Sequence, residues 1–353
     1  MNSSLRSALS NRDNALNFVR LILAASVILG HAWAIGGFGE TPLGFISGWA
    51  VNGFFGISGY LIAGSRMRLA FAAFVTNRAL RIFPAFWCVL LVTAFLLAPL
   101  STLLSGETYS ITSALNYVVR NAGLYIFQWG IDDTLMNVPF SVAWNGSLWT
   151  LFYEFVAYLA AALLLTLAVV RKHALAATAV ATACAIVAQI LALTVLDVST
   201  NLFLNFLRLG GFFAAGMLIY FLGERIRLEL WPAVLAAIIF VALMLFGVAE
   251  TLAQIPFTYV LLWIGARARI RIGSKNDISY GIYIWGCPVQ QLLALSGTAW
   301  MGPWLSALVA FVLTVPLAWA SWKFVEEPAM RLRNLLPNSW HGAARQPTRQ
   351  PQE

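Results

Sequence analysis

The chain has 353 residues, 60% of them hydrophobic and only 10% charged, with a mean hydropathy of +0.79 and a formal charge of +8. Soluble domains average about 45–50% apolar and about 25% charged residues, so a water-soluble enzyme or nucleic-acid-binding protein is excluded. Repeated apolar runs of helical length favour a helical bundle over a β-barrel, because only those two architectures satisfy the backbone inside lipid.

In chain order the runs predict ten spanning helices, at 16–36, 45–65, 79–100, 148–170, 174–196, 203–222, 231–249, 252–268, 277–297 and 302–324. Lys and Arg are retained on the cytoplasmic side of a membrane. If the N-terminus with Arg6 and Arg12 is inside, Arg66, Arg68, Arg78 and Arg81 also fall inside. So do Arg171 with Lys172, Arg225 with Arg227, the Arg267 to Lys275 group, and Arg331, Arg333, Arg345 and Arg349. The opposite loops carry Glu40, Glu107, Asp132, Asp133, Asp197 and Glu250, against the single cation Arg120. The expected fold class is therefore an all-α integral membrane protein, a bundle of about ten transmembrane helices with both termini cytoplasmic. It divides into a cytoplasmic segment 1–15, a transmembrane domain 16–335 and a disordered cytoplasmic tail 336–353 rich in Pro, Gln, Arg and Asn. The N-terminus lacks a short apolar core with a small-residue cleavage site, so the first span is expected to serve as an uncleaved insertion signal.

The connection from about 101 to 147 is too long for a tight turn and carries Tyr109, Tyr117, Tyr125, Trp129 and Trp144. Long loops are often functional, and a part-buried helix near 112–128 fits this one. Trp33, Trp49, Trp144 and Trp149 read as belt residues at the outer surface, although stacked sugars use the same side chains. Cys88, Cys184 and Cys287 fall in apolar segments without the spacing of a disulfide or zinc framework, so they are read as small core residues and no metal is expected.

The first span opens at Arg20 and meets a histidine eleven residues later, at His31. That separation is about 16 Å and roughly three full turns, so both side chains share one face. An ionisable group inside a span costs about 2.5–3.5 kcal/mol and marks a functional site by default. His31 is either a packing histidine bonded between helices or a general base kept neutral by burial. Glu154, the acid well inside the fourth span, is expected in the same outer half of the bilayer; it either orients His31 or serves as a second acid/base group, or else pairs with Arg208 of the sixth span or hydrogen-bonds to neighbouring spans. Arg78 and Arg81 lie one turn apart, where they either fix topology and meet anionic lipid or converge on one phosphate group. Ser58 and Gly59 let a neighbouring backbone or a slender ligand approach closely. Tyr280 and Tyr283, in "DISYGIYIW", lie at the inner end of the ninth span.

In order along the chain, these residues resemble the acyltransferase type 3 membrane family. The matching series is Arg20 to His31; Phe54, Phe55, Ser58, Gly59 and Tyr60; Arg78, Arg81, Ile82 and Pro84; Ser147, Leu148, Trp149 and Glu154; then Ser279, Tyr280 and Tyr283. Family members acylate sugars of surface polysaccharides, membrane glucans and nodulation factors. The resemblance implies an acyl-CoA donor, usually acetyl-CoA, and a sugar or lipid-linked glycan acceptor at the outer face of a bacterial inner membrane, with membrane lipids as the surroundings. His31 and Glu154 would be catalytic, and Arg20, Arg78, Arg81, Ser58, Tyr60, Tyr280 and Tyr283 would bind the donor. Gly286 stands where many members carry a second His, and Glu327 where a basic residue is frequent. A reading from another class is a proton-coupled secondary transporter or lipid-linked glycan flippase, with Arg20, Glu154 and His31 as a proton relay. The inverted repeats common in transporters are not visible.

Overall fold

The structure is a computed structural model and describes residues 4–10, 14–39, 43–273 and 276–335. Arg12, Glu40, Lys275 and the tail from Leu336, all used in the charge reading, lie outside the described residues. The regular elements described are all helical, and one isolated β-bridge joins Ser4 to Arg227.

A short α1 (Leu5–Ser10) precedes the long helices α2 (Leu16–Gly36), α3 (Phe45–Arg68) and α4 (Phe71–Val92). A π-turn at Thr93–Leu97 carries α4 into α5 (Ala98–Ser105), and the long connection contains α6 (Ile111–Asn121). Then come α7 (Thr150–Leu164), α8 (Ala168–Lys172), α9 (Ala174–Thr194), α10 (Asn201–Leu222), α11 (Leu230–Leu245), α12 (Ala249–Leu252) and α13 (Gln254–Arg267). The last elements are α14 (Ser279–Leu295), α15 (Gly302–Ser321) and, beyond a second π-turn at Trp322–Glu326, α16 (Glu327–Arg331). A helix stands at each of the ten predicted positions. Among the described residues six are long and apolar enough to cross a membrane: α2, α3, α4 with α5, α9, α10, and α15 with its extensions. The chain is thus a multi-pass helical membrane protein. α7 and α11 are apolar but shorter, while α14 is wrapped by protein, with Ser279 to Gln291 all buried. A helix shielded from lipid can carry the polar side chains that α14 holds.

Three registers position the site. α2 and α3 run antiparallel, with Gly30 against Ser47 and Gly53 against Leu23. α2 and α14 run parallel, since Asn17 Nδ2 donates to Gly273 O at 2.8 Å and Gln290 Nε2 to Ile28 O at 2.8 Å. α3 and α10 are also parallel and nearly touch: a Cβ at Gly59 would collide with Phe213 O, and one at Gly216 with Gly56 O. Lipid supplies little hydrophobic drive between helices, so such backbone approach is what holds them.

Several expectations change. The third span begins at Phe71, about two turns before Arg78, because the polar Thr76–Asn77–Arg78 run is helical rather than a loop. The helix expected at 112–128 stops at Asn121, whose Oδ1 accepts from the Phe127 and Gln128 N–H groups, and Leu124 turns the chain at φ 73°. Trp33, Trp49 and Trp144 are packed inward rather than set in a belt: Trp49 meets Phe212, Phe240 and Phe257, and Trp144 is fully buried, donating from Nε1 to Thr134 Oγ1 at 2.8 Å. Cys287 is buried as expected, but Cys184 is exposed on the outward face of α9.

Candidate active site

The arginines do not stand alone. Arg20 Nη1 reaches Asp277 Oδ2 at 2.6 Å, and Arg81 bridges the same oxygen at 2.9 Å and Glu326 Oε2 at 2.9 Å. Two cations from α2 and α4 thus share two acids, one just before α14 and one in the π-turn after α15. Asp277 also begins α14, accepting from the Ser279 hydroxyl at 2.6 Å. Arg78 is different: its side chain lies over the Phe74 ring at 5.8 Å and its buried Nε has no partner. Arg78 and Arg81 line an open cavity of about 650 Å³ with Asn77, Asp277, Trp322 and Arg333. Unpaired guanidinium in a basic mouth suits a phosphate.

A second, small cavity lies between α2, α3, α7 and α14, lined by Arg20, Val51, Phe54, Thr150, Glu154, Tyr280 and Tyr283. Its Arg20 is tied to the basic mouth by the ion pair with Asp277, which lines that mouth. Ser58 Oγ donates to Glu154 Oε1 at 2.8 Å, and the Tyr158 hydroxyl donates to the same oxygen. Tyr280 donates to Ile82 O at 2.8 Å; the Tyr283 hydroxyl donates to Ser147 O at 2.9 Å and lies 2.5 Å from Thr150 Oγ1. These bonds hold two motif tyrosines of α14 against α4 and the start of α7. The structure therefore brings Arg20, Ser58, Arg81, Glu154, Tyr280 and Tyr283 into one connected region.

Tyr60 is not part of it. Two residues beyond Ser58 rotates a side chain by about 200°, and Tyr60 packs edge-on against Tyr220, at 5.4 Å, lining a separate cavity with Arg6 and Arg68. Nor does Glu154 pair with Arg208, which bonds Asn205 and Glu250 instead. The α2–α3 register places Ser58, and with it the Glu154 carboxylate, opposite the Arg20 turn. That is about 16 Å along the axis from the His31 turn. The expectation that Glu154 shares His31's half of the bilayer is not met, because its carboxylate bonds Ser58 on the turn of α3 that faces Arg20.

His31 is half-buried at the other end of the stripe and makes no hydrogen bond among the described residues. The packing alternative needed such a bond. Below it Ala24 and Ile28 are buried on the same face, and at its level Gln290 keeps a buried amide oxygen without a partner. Sequence reasoning missed Gln290, Tyr158, Asp277 and Glu326. An acid just before a helix, as in "DIS", was the available signal for Asp277.

A family model described as an acyltransferase domain matches residues 13–323. The chain belongs to the acyltransferase type 3 family. An O-acetyl transferase of Shigella phage Sf6 is 30% identical over 333 residues, covering 90% of this chain and 96% of that protein. Nodulation protein 10 of Rhizobium leguminosarum bv. viciae is 27% identical over 354 residues, covering 93% and 96%. Nodulation protein NolL of Sinorhizobium fredii matches at 30% over 145 residues, 38% of each chain. No solved structure matches. Family and fold together make this chain a membrane acyltransferase, consistent with O-acyl transfer.

Proposed function

We propose that this acyltransferase moves an acyl group, in the simplest case acetyl from acetyl-CoA, from the cytoplasm to a hydroxyl of an extracytoplasmic sugar or lipid-linked glycan. It would do so in the cytoplasmic membrane of a bacterium, on ten spans with both termini inside. One observation carries the reading: Arg20 lines the cavity between α2 and α7, bonds Asp277 of the basic cavity of Arg78 and Arg81, and lies on the helix face that ends at His31.

In this scheme Arg78 and Arg81 receive the CoA phosphates, Arg78 through the guanidinium that no protein acceptor occupies. The pantetheine arm enters past Arg20, Tyr280 and Tyr283 and runs along the Arg20 to His31 stripe. His31 takes the proton of the acceptor hydroxyl as its oxygen attacks the thioester carbonyl. The C–O bond forms, the C–S bond breaks, and the imidazolium returns its proton to the departing thiolate. General-base assistance of this kind contributes about 10²–10⁴-fold. Glu154 acts at the donor end, with Ser58 and Tyr158, as the second ionisable group of the site rather than as the orienter of His31.

Inside-out membrane vesicles supplied with acetyl-CoA labelled in the acetyl group test this directly. Labelled, base-labile ester on a glycan of the vesicle lumen is the expected outcome. A purified chain that neither binds acyl-CoA nor yields labelled glycan refutes the proposal.

A further inference from the structure

A third cavity opens beside the first turn of α10, with none of Arg20, Arg78 or Arg81 in its lining. Three elements build it. Trp149 just before α7 and Tyr153 in its first turn stand together, Asn201 and Asn205 lie one turn apart on α10, and Tyr125 and Trp129 come from the long connection. The rings are braced from behind: Tyr125 meets Phe152 at 5.2 Å, Trp149 meets Tyr153 at 5.4 Å, and Tyr153 meets Phe206 at 4.7 Å. Asn205 is fixed through Oδ1, which accepts from Arg208 at 3.0 Å. Yet the indole N–H groups of Trp129 and Trp149 and the amide of Asn201 have no partner among the described residues.

The chemistry of this lining is specific. None of the described residues lining it is charged, and Arg208 behind it is paired with Glu250, so the hollow does not select an ion. Belt residues turn their rings outward one by one; here rings from two elements converge on one space. A lipid tail filling it would leave two indole donors and an amide unpaired. A ligand with a flat apolar face and a rim of hydroxyls satisfies both halves of the lining, rings against its C–H face and amides against its hydroxyls.

We propose that this groove binds a neutral hexose unit of the acceptor glycan, at a subsite remote from the hydroxyl that is acylated. The remoteness follows from the packing. Arg208, bonded to Asn205, lies 3.7 Å from where a Cβ of Gly48 would sit, and the neighbouring Ser47 packs on Gly30, beside His31. The first turn of α3 therefore separates groove from imidazole, and Trp149 and Tyr153 face away from the donor cavity that Thr150 and Glu154 line. A single sugar cannot occupy the groove and meet His31 together, whereas an oligosaccharide can. The proposal rests on the acyl-transfer reading for the identity of the ligand as acceptor, but binding is measured without catalysis.

Purified chain in nanodiscs is titrated with neutral hexose hexamers (maltohexaose, cellohexaose and the N-acetylated chitohexaose) and with an oligogalacturonate hexamer, following tryptophan fluorescence and calorimetric heat. At least one neutral hexamer is expected to bind and the oligogalacturonate not to. Trp129→Ala and Asn201→Ala should each weaken the dissociation constant about tenfold, the change a contact worth about 1.4 kcal/mol carries. Trp129→Phe should retain more of the affinity than Trp129→Ala. Both side chains are exposed, Trp129 at 38%, so neither substitution opens a core cavity. The proposal is overturned if no neutral hexamer binds, if the charged hexamer binds equally well, or if both alanine variants bind like the parent. Acyl-CoA binding by the parent chain, measured separately, reports on the donor half of the acyl-transfer reading, so the two can fail independently.

Discussion

Replacing Asp277 by Asn tests the buried charge cluster that the arginines were found in. Arg20, Arg81, Asp277 and Glu326 balance as two cations and two acids, with side chains 20%, 17%, 13% and 1% exposed. Asn keeps the shape and the approach to Ser279 but leaves one positive charge uncompensated. Removing one partner of a buried pair costs about 3–5 kcal/mol; the partial exposure of the arginines places this case near the lower value, about 3 kcal/mol. At about 2 °C per kcal/mol for a chain of this size, the melting temperature in detergent should fall by roughly 6 °C. Arg20→Met combined with Asp277→Asn restores neutrality, because Arg81 still meets Glu326 at 2.9 Å, and should recover more than half of the loss. The assay is thermal unfolding followed by tryptophan fluorescence, run as a double-mutant cycle. A single variant that melts within about 1 °C of the parent, or a double variant whose loss equals the sum of the singles, would refute the cluster as a coupled unit.

Other outcomes follow from the same geometry. His31→Ala should insert and melt normally, since His31 makes no hydrogen bond among the described residues, while acyl transfer falls by about 10²–10⁴-fold; normal transfer removes the mechanism. Arg78→Ala should raise the KM for acyl-CoA about tenfold or more with little effect on melting, because the lost contact is a charge-assisted bond of about 1.5–3 kcal/mol made to ligand rather than to protein; an unchanged KM ends that assignment. Gly216→Ala drives a Cβ into Gly56 O and should destabilise the α3–α10 pair by about 1–3 kcal/mol, visible as a lower melting temperature. A cysteine at Asp132, exposed on the long connection, in a chain whose native cysteines are replaced, should react with an impermeant maleimide from outside the cell; labelling only after permeabilisation reverses the proposed topology.

The helices were legible because a span announces itself through length and hydropathy, two properties local to the chain. Six of the segments meet both in the structure; α14 does not, and it is surrounded by protein rather than lipid, whereas the short α11 keeps most of its apolar side chains exposed. What a helix faces is not local. Trp49 and Trp144 carry the composition of a membrane belt, yet tertiary packing turns both inward. The partners of Arg20 and Arg81 lie 257 and 245 positions away in sequence, so no window along the chain could pair them. The placement of Glu154 failed for the same reason: its depth in the bundle is set by Ser58, a partner 96 positions away on α3.

That displacement of Glu154 changes how the site must work. If the carboxylate oriented the imidazole, both would sit at the acceptor and the arginine end would do no more than hold the nucleotide. With Glu154 bonded to Ser58 and Tyr158 beside the Arg20 turn, the ionisable groups divide between the two ends of one helix face instead. The stretch between them carries Val51, Phe54 and buried Ala24 and Ile28, with the Thr150, Tyr280 and Tyr283 side chains at its Glu154 end. Ala24 and Ile28 place hydrocarbon between Glu154 and His31, and an ionised group in such surroundings costs about 2.5–3.5 kcal/mol. The spacing that weakens the two-residue dyad therefore also weighs against a direct proton relay between the two groups.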